Sequence, residues 1–302
     1  MINGILIVNK FLNTHKFNEL YEWLTDAATR HNVRLTVMTN ADYLVRCDIS
    51  SSDGASISEL IDPPFPKCDF VLFWDKDANL ARAIEKQGIR VFNSADAIEA
   101  CDDKAKTFER LQGAVRMPKT FRIPMTFSGI GYTDTDFINK IQSILGYPFV
   151  IKENCGSLGG QVYLVHDKDE AVNTLNKTFG RPSIAQEFIS DNSGKDIRIH
   201  TVGDKIITSM MRFNEHDFRA NISNGGSMLP YEPTEEQCRM ALKVSKLLGL
   251  DFAGVDILIG PNDEPILCEV NSNAHFRNIY DCTGVNVADS IMEHILSKCT
   301  MW

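Results

Sequence analysis

The chain has 302 residues, 43% hydrophobic and 24% charged, with a formal net charge of −9. That length allows two or three domains and a substantial core. The acidic balance argues against general nucleic-acid binding, which wants a basic field, but it leaves room for a local basic pocket.

The first hundred residues alternate short apolar runs with helical stretches. Ile5–Val8 reads as a strand, Phe17–Arg30 as a helix, and Arg34–Met38 and Asp69–Trp74 as further strands. Ala78–Gln87 reads as a helix and Ile89–Phe92 as a strand. Such alternation predicts a parallel, doubly wound α/β sheet. No GxGxxG follows the first strand, so the dinucleotide fingerprint is absent. Asn93–Ser94 looks like a strand end running into a helix cap.

The pattern then changes. Pro118, Pro124, Gly129 and Gly131 mark a loop-rich stretch, and helix signals return at Thr135–Leu145. Phe149–Lys152 and Gln161–Val165 read as two strands flanking Asn154-Cys155-Gly156-Ser157-Leu158-Gly159-Gly160, with a helix at Asp167–Phe179. Strands are expected at 183–188, 196–202 and 205–213, a helix at Thr234–Leu248, a hairpin at 253–271 and a last helix at 286–297. These changes divide the chain into an α/β domain at 1–94, a small α+β domain at 95–184 and a C-terminal domain at 185–302.

The eight cysteines (47, 68, 101, 155, 238, 268, 282 and 299) form no CxxC pair and have no accompanying histidine cluster. They are expected to be free thiols in a reducing compartment. The N-terminal MINGILIVNKFLN has too short an apolar run for a signal peptide, and no run elsewhere approaches a membrane span. A cytoplasmic protein without membrane or nucleic-acid partners is the expectation.

The hairpin carries the most chemistry. Its arms are Ala253-Gly254-Val255-Asp256-Ile257-Leu258-Ile259 and Pro265-Ile266-Leu267-Cys268-Glu269-Val270-Asn271, joined by Gly260-Pro261-Asn262-Asp263-Glu264. With Pro261–Glu264 as the loop, Ile259 faces Ile266, Ile257 faces Cys268 and Val255 faces Val270. Asp256 then lies opposite Glu269, with Asn271 further along that face opposite Gly254, and with Leu258 and Leu267 beside them. Like charges directly across a ladder destabilise it, and carboxylates among apolar neighbours are costly to desolvate. A divalent cation between them relieves both costs, and an oxygen-only set of Asp256, Glu269 and Asn271 suits magnesium, with manganese an alternative. The competing reading is a solvated hairpin face, against which Leu258 and Leu267 count.

Gly156, Gly159 and Gly160 would let backbone N–H groups approach phosphate oxygens, with Lys152 as a point charge at the end of the preceding strand. A plain glycine-rich hairpin loop fits the same residues, and it is no P-loop. Arg219, with Arg212 and Arg198 nearby in sequence, has the charge to neutralise a transferring phosphoryl group; a solvated loop with ordinary arginines is the alternative.

Together, these segments resemble the ATP-grasp superfamily, and within it the RimK-like branch of α-L-glutamate and related amino-acid ligases. The matching residues run in order: Asp103-Lys104, Pro148-Phe149-Val150-Ile151-Lys152, Gly156–Gly160, Gln186-Glu187-Phe188-Ile189, Lys195-Asp196-Ile197-Arg198, Asp217-Phe218-Arg219-Ala220-Asn221, Gly225-Gly226-Ser227, Ala253–Leu258 and Glu269-Val270-Asn271. The resemblance implies an ATP-grasp fold behind an N-terminal doubly wound domain, and ATP with one or two magnesium ions as cofactors. It implies that Lys104 and Lys152 contact phosphates and that Gln186, Glu187, Phe188 and Ile189 form an adenine hinge. Asp196 would lie near the ribose, Arg219 and Asn221 near the triphosphate, and Asp256, Glu269 and Asn271 would hold the metal. The loop bearing Gly156, Ser157, Gly159 and Gly160 would close over the γ-phosphate.

The implied reaction activates a carboxylate as an acyl phosphate and passes it to an amine, with Arg212 and Arg219 steadying the phosphoryl charge. His216 and His275 are weak candidates for a general base. The stretch Ser272-Asn273-Ala274-His275-Phe276-Arg277-Asn278 departs from the ribosomal-protein glutamate ligases and looks more like the carrier-protein ligases of lysine and arginine biosynthesis. Arg277 and Asn278 are candidates for binding a substrate carboxylate there. Expected partners are a small carboxylate and an amine, with a peptide or carrier protein as a further acceptor class and a homo-oligomer compatible with the sequence. A peptide-modifying macrocyclase and a non-catalytic ATP-binding regulator are the competing readings.

Overall fold

A computed structural model describes residues 1–48, 60–127, 129–156 and 159–299. In chain order its elements are β1 (Ile2–Val8), α1 (His15–Arg30), β2 (Val33–Thr39), β3 (Leu44–Val45), β4 (Ile61–Asp62), β5 (Phe70–Trp74), α2 (Ala78–Lys86), β6 (Val91–Phe92), α3 (Ala95–Asp102) and α4 (Lys104–Arg110). There follow β7 (Thr120–Arg122), α5 (Asp136–Leu145), β8 (Phe149–Glu153), β9 (Val162–Val165), α6 (Lys168–Thr178) and β10 (Ser183–Glu187). The last are β11 (Lys195–Val202), β12 (Lys205–Phe213), β13 (Ser227–Pro230), α7 (Glu235–Leu247), β14 (Phe252–Ile259), β15 (Pro265–Asn271), α8 (Arg277–Thr283) and α9 (Val287–Cys299).

Runs such as Phe70–Trp74, buried along their whole length, predict a parallel strand covered on both faces. β5 is that strand, in an all-parallel sheet of order β2-β1-β5-β6. The last helix returns to this sheet: Val287, Ala288, Ile291, Met292 and Ile295 of α9 share a core with Leu6, Leu20, Leu24, Phe70 and Leu72. Asn93 ties the sheet to the C-terminal part. Its side chain donates to the carbonyls of Phe252 and Ser272 and accepts from the N–H groups of Asp251 and Phe252.

The second sheet is antiparallel, of order β7-β10-β8-β9. Period-2 alternation sorts its faces. Phe149, Ile151 and Ala185 pack on Ile138 and Ile141 of α5 and on Ala171 and Leu175 of α6. Val150, Lys152 and Gln186 face the other way, into a cleft. The expected boundary at 184 falls inside β10, whose residues 183–187 all pair with β8.

The third sheet is antiparallel, of order β13-β12-β11-β14-β15. α7 covers one face, capped by Thr234 and Gln237 in a reciprocal capping box. Its Met240, Ala241 and Val244 bury against Ile197, Ile199, Val255 and Ile257; a fully buried Val or Ile contributes about 1.5–3 kcal/mol. The opposite face carries the charges.

Two sequence expectations change here. β14 and β15 pair Asp256 with Glu269, Val255 with Val270 and Gly254 with Asn271, but beyond that the register slips. A β-bulge between Asp256 and Ile257 leaves Ile257 opposite Leu267 and Leu258 opposite Ile266. Cys268 is the extra residue, so Leu267 turns into the core rather than lying beside the carboxylates. The other change is α8, a short helix at Arg277–Thr283 where no helix was expected. All eight cysteines are free. Among the described residues no helix is long and apolar enough to cross a membrane.

Candidate functional site

The charged face of the third sheet and the Lys152 face of the second close on one cleft. Lys104, Lys152, Gly156, Gly159, Gln186, Glu187, Phe188, Ile189, Asp196, Arg212, Arg219, Asn221, Asp256 and Glu269 all line it. Residues distant in sequence are thus brought to one place. Gly160 and Asn271 adjoin lining residues but do not line the cleft, and Ser157 lies outside the described residues.

Local chemistry presents each cation. Asp103 caps α4, accepting from the N–H groups of Ala105 and Lys106, which makes Lys104 the first helical residue. The Lys104 ammonium donates to the Gly156 carbonyl at 3.2 Å and lies 3.9 Å from a Glu269 oxygen. Lys152, 8% exposed, donates to Gln186 Oε1 at 2.6 Å, and the Gln186 amide donates to the Thr120 hydroxyl. No carboxylate within ion-pair distance of Lys152 is found among the described residues. A buried ammonium whose partner is a neutral amide favours an anion beside it. Val150, Val162, Phe188, Ile189, Leu258 and Cys268 supply apolar walls of the same cleft.

The glycine loop rests against the third sheet. Arg219 donates to the Gly159 carbonyl at 2.8 Å while Asp217 holds the rest of its guanidinium. A Cβ at Gly159, where φ is +73°, would meet Asn224 and Asn221 at 3.1 and 3.2 Å. Glycine is therefore needed there both for conformation and for close approach.

Register explains the charges on the cleft floor. Asp196 lies opposite Arg212, Arg198 opposite Asp256, and Asp256 opposite Glu269. Arg212 grips both oxygens of Asp196 at 2.6–2.7 Å and reaches Asp256 at 2.9 Å. Arg198 grips both oxygens of Asp256 at 2.6–2.7 Å. Burial pushes the Asp256 carboxyl up, but Arg198 and Arg212 outweigh it and hold the group below the usual range. Burial likewise disfavours charge on Arg212, and Asp196 and Asp256 more than restore it. Each oxygen of Asp196 accepts one Arg212 N–H, so Asp196 supports that guanidinium while still lining the cleft.

The residues at hand suit a divalent cation. Asp256 and Glu269 face each other across the ladder, and Asn271 lies further along the same face, opposite Gly254. An all-oxygen set of two carboxylates and an amide matches magnesium, which also takes phosphate and water oxygens. Among the described residues no three His, Cys, Asp or Glu side chains form a metal cluster on their own. The set therefore needs Asn271 or a ligand's oxygens.

Several candidates lie elsewhere. Arg277 is held by Glu19 and Asp281 and sits over the Trp23 ring, and Asn278 accepts from Lys16; neither lines the cleft. Arg277 and Asn278 are thus held against α1 and α8 rather than in the cleft. His275 is engaged at both ring nitrogens, by the Arg277 N–H and the Lys16 carbonyl, and burial lowers its pKa to about 4. His216 is exposed and does not line the cleft. Sequence reasoning missed Arg198 as the partner of Asp256 and Cys268 as a cleft wall. Both follow from pairing and a bulge that hairpin logic alone does not reveal.

Two antiparallel sheets closing on such a cleft define the ATP-grasp fold. The solved structure of the ATP-grasp ligase PsnB with a minimal precursor, Mg and ADP superposes over 98% of both chains, with a TM-score of 0.69 at 14% identity. The family is set by sequence: residues 101–295 match the RimK-like ATP-grasp domain, and the chain belongs to that family. A probable alpha-L-glutamate ligase of Ectopseudomonas mendocina is 34% identical over 217 residues, 71% of this chain and 69% of the relative. Human N-acetylaspartylglutamate synthase A is 32% identical over 226 residues, 74% of this chain but 56% of the synthase, so the chain spans about half the length of that relative. The chain is accordingly an ATP-dependent ligase of the carbon–nitrogen class, and ligases of this fold use ATP with Mg2+.

Proposed function

We propose that the chain joins an amino acid, with glutamate the first choice, to a carboxylate that it first activates as an acyl phosphate. The observation that carries this reading is the convergence of Lys104, Lys152, Arg212 and Arg219 with the facing carboxylates Asp256 and Glu269 on one cleft. Glutamate is chosen because it appears in the names of both relatives above.

In this reading the apolar walls and the backbone of Gln186–Ile189 take the adenine, and Lys104, Lys152, Arg219 and Asn221 take the phosphates. Asp256, Glu269 and Asn271 hold magnesium, which when bound neutralises phosphate charge. Arg212, fixed by Asp196, faces the phosphoryl group as it moves to the carboxylate. This is positioning and charge neutralisation, which phosphoryl transfer chiefly requires. The amine then attacks the acyl carbon and phosphate leaves.

The test is ADP release with ATP, Mg2+ and glutamate across a panel of carboxylates and peptides, with mass analysis of products. A condensed product that depends on both partners is expected. A stable phosphorylated product with no need for amine would mean a kinase. Tight ATP binding without ADP from any pair would mean a non-catalytic regulator.

A further inference from the structure

Two arginines compete for Asp256, and they are not equivalent. Arg212 holds a second carboxylate, Asp196, through two hydrogen bonds, whereas Asp256 is the sole carboxylate within ion-pair distance of Arg198 among the described residues. Their exposure differs as well: the Arg212 side chain is 5% exposed and that of Arg198 is 16%. Asp256 meanwhile has both oxygens engaged by guanidinium groups at 2.6–2.9 Å. A divalent cation on that carboxylate would sit beside two positive charges in a buried site, where screening is weak.

We infer that Arg198 is a removable stand-in for the cation: it neutralises Asp256 in the unloaded protein and gives it up on loading. Its guanidinium then becomes an anion site, while Arg212 keeps its place. The inference rests on the assignment of Asp256 as a cation ligand in the reading above. Arg212 stays because Asp196 satisfies it without Asp256. Arg198 cannot stay unpaired at its depth, since a buried charge without a partner is strongly unfavourable.

The surroundings name the ligand class. A Cβ on Gly254 would lie 3.8 Å from Arg198 Nε and collide with the Ala274 methyl, so the guanidinium lies beside the segment after β15. His200, next on the same face of β11, is fully buried with its pKa lowered to about 3 by burial, so it stays neutral and offers no competing charge. A freed planar guanidinium suits bidentate binding of a carboxylate. The site would therefore take the carboxylate of an incoming substrate, and only after the cation is in place. By linkage, that carboxylate would in turn tighten cation binding.

Mn2+ binding to the full chain without nucleotide, followed by the loss of the free-ion electron paramagnetic resonance signal, tests this. Arg198→Met removes the competitor and is expected to tighten Mn2+ by about tenfold, a change of ~1.4 kcal/mol. Lys195→Met removes one charge from the cleft rim without touching Asp256, and is expected to change binding less than about twofold. Unchanged or weaker Mn2+ binding in Arg198→Met, or equal tightening in Lys195→Met, overturns the inference. Phenylglyoxal labelling of the unsubstituted chain reads the release directly. Arg198 is expected to be protected without Mn2+ and labelled with it, while Arg212 stays protected in both; Arg198 protected in both states overturns the idea. If the unsubstituted chain binds no Mn2+ either alone or with a non-hydrolysable ATP analogue present, the metal assignment itself fails, an outcome distinct from the failures above.

Discussion

Lys152 and Arg212 are both buried cations on the same cleft, one on each sheet, and their surroundings are opposite. Arg212 is held by two carboxylates, whereas Lys152 leans on a glutamine oxygen. The third sheet arrives with its charges matched; the second arrives with an ammonium that has no carboxylate beside it among the described residues. The same residue class thus reads as structure on one wall and as binding capacity on the other.

Turnover should break first where both walls meet. Asp256→Asn or Glu269→Gln is expected to lower ADP release by about a thousandfold or more, on the scale of losing a principal electrostatic group. Circular dichroism should show the fold retained, and near-normal rates in both variants would remove the metal assignment.

The paired wall should respond in stability. Arg212→Met leaves the buried Asp196 with no guanidinium and Asp256 with Arg198 alone, and is expected to cost about 3–5 kcal/mol in urea unfolding. Lys152→Met is expected to do the reverse: no loss of stability without nucleotide, but a KM for ATP raised by about tenfold or more. Equal destabilisation of the two variants would erase the contrast.

A smaller effect concerns pH. His200 and His275 have pKa values lowered to about 3 and about 4. A base with a depressed folded pKa binds its proton mainly in the unfolded chain. Stability is therefore expected to fall as pH drops below the unfolded value of about 6.5, by up to ~1.4 kcal/mol per pH unit for each histidine. Replacing His200 with Phe should flatten the Tm profile between pH 6.5 and 4. Smallest is Thr234→Ala, which removes the α7 cap at about 1 kcal/mol and should leave turnover intact.

The two walls also differed in how far the sequence exposed them. Asp256 and Glu269 were placed together because both lie in one hairpin, but the turn-end register was off by one residue (Ile259 pairs with Pro265, not Ile266), and the bulge at Cys268 restores the facing of the carboxylates. Lys152 and the glycine loop were legible for the same local reason. The pairing of Arg198 with Asp256 was not, because it joins β11 to β14 across intervening elements, and a strand's sequence does not name its neighbour. The pairing of Asp196 with Arg212 was likewise hidden, because it is fixed by the β11–β12 register rather than by residue type. In the fold, periodicity found most helices to within two residues, such as α1 at His15–Arg30. It missed α8, a short helix whose single fully buried residue is Ile279.

The extra residue in β15 has one more consequence. Cys268 decouples the two ends of its strand: the turn end sets which side chains fill the core, and the far end sets which face the cleft. Removing Cys268 would force one end out of step, so that either Leu267 enters the cleft or Glu269 leaves it. The strand behaves as two half-strands joined by a phase shift, each free to vary without retuning the other.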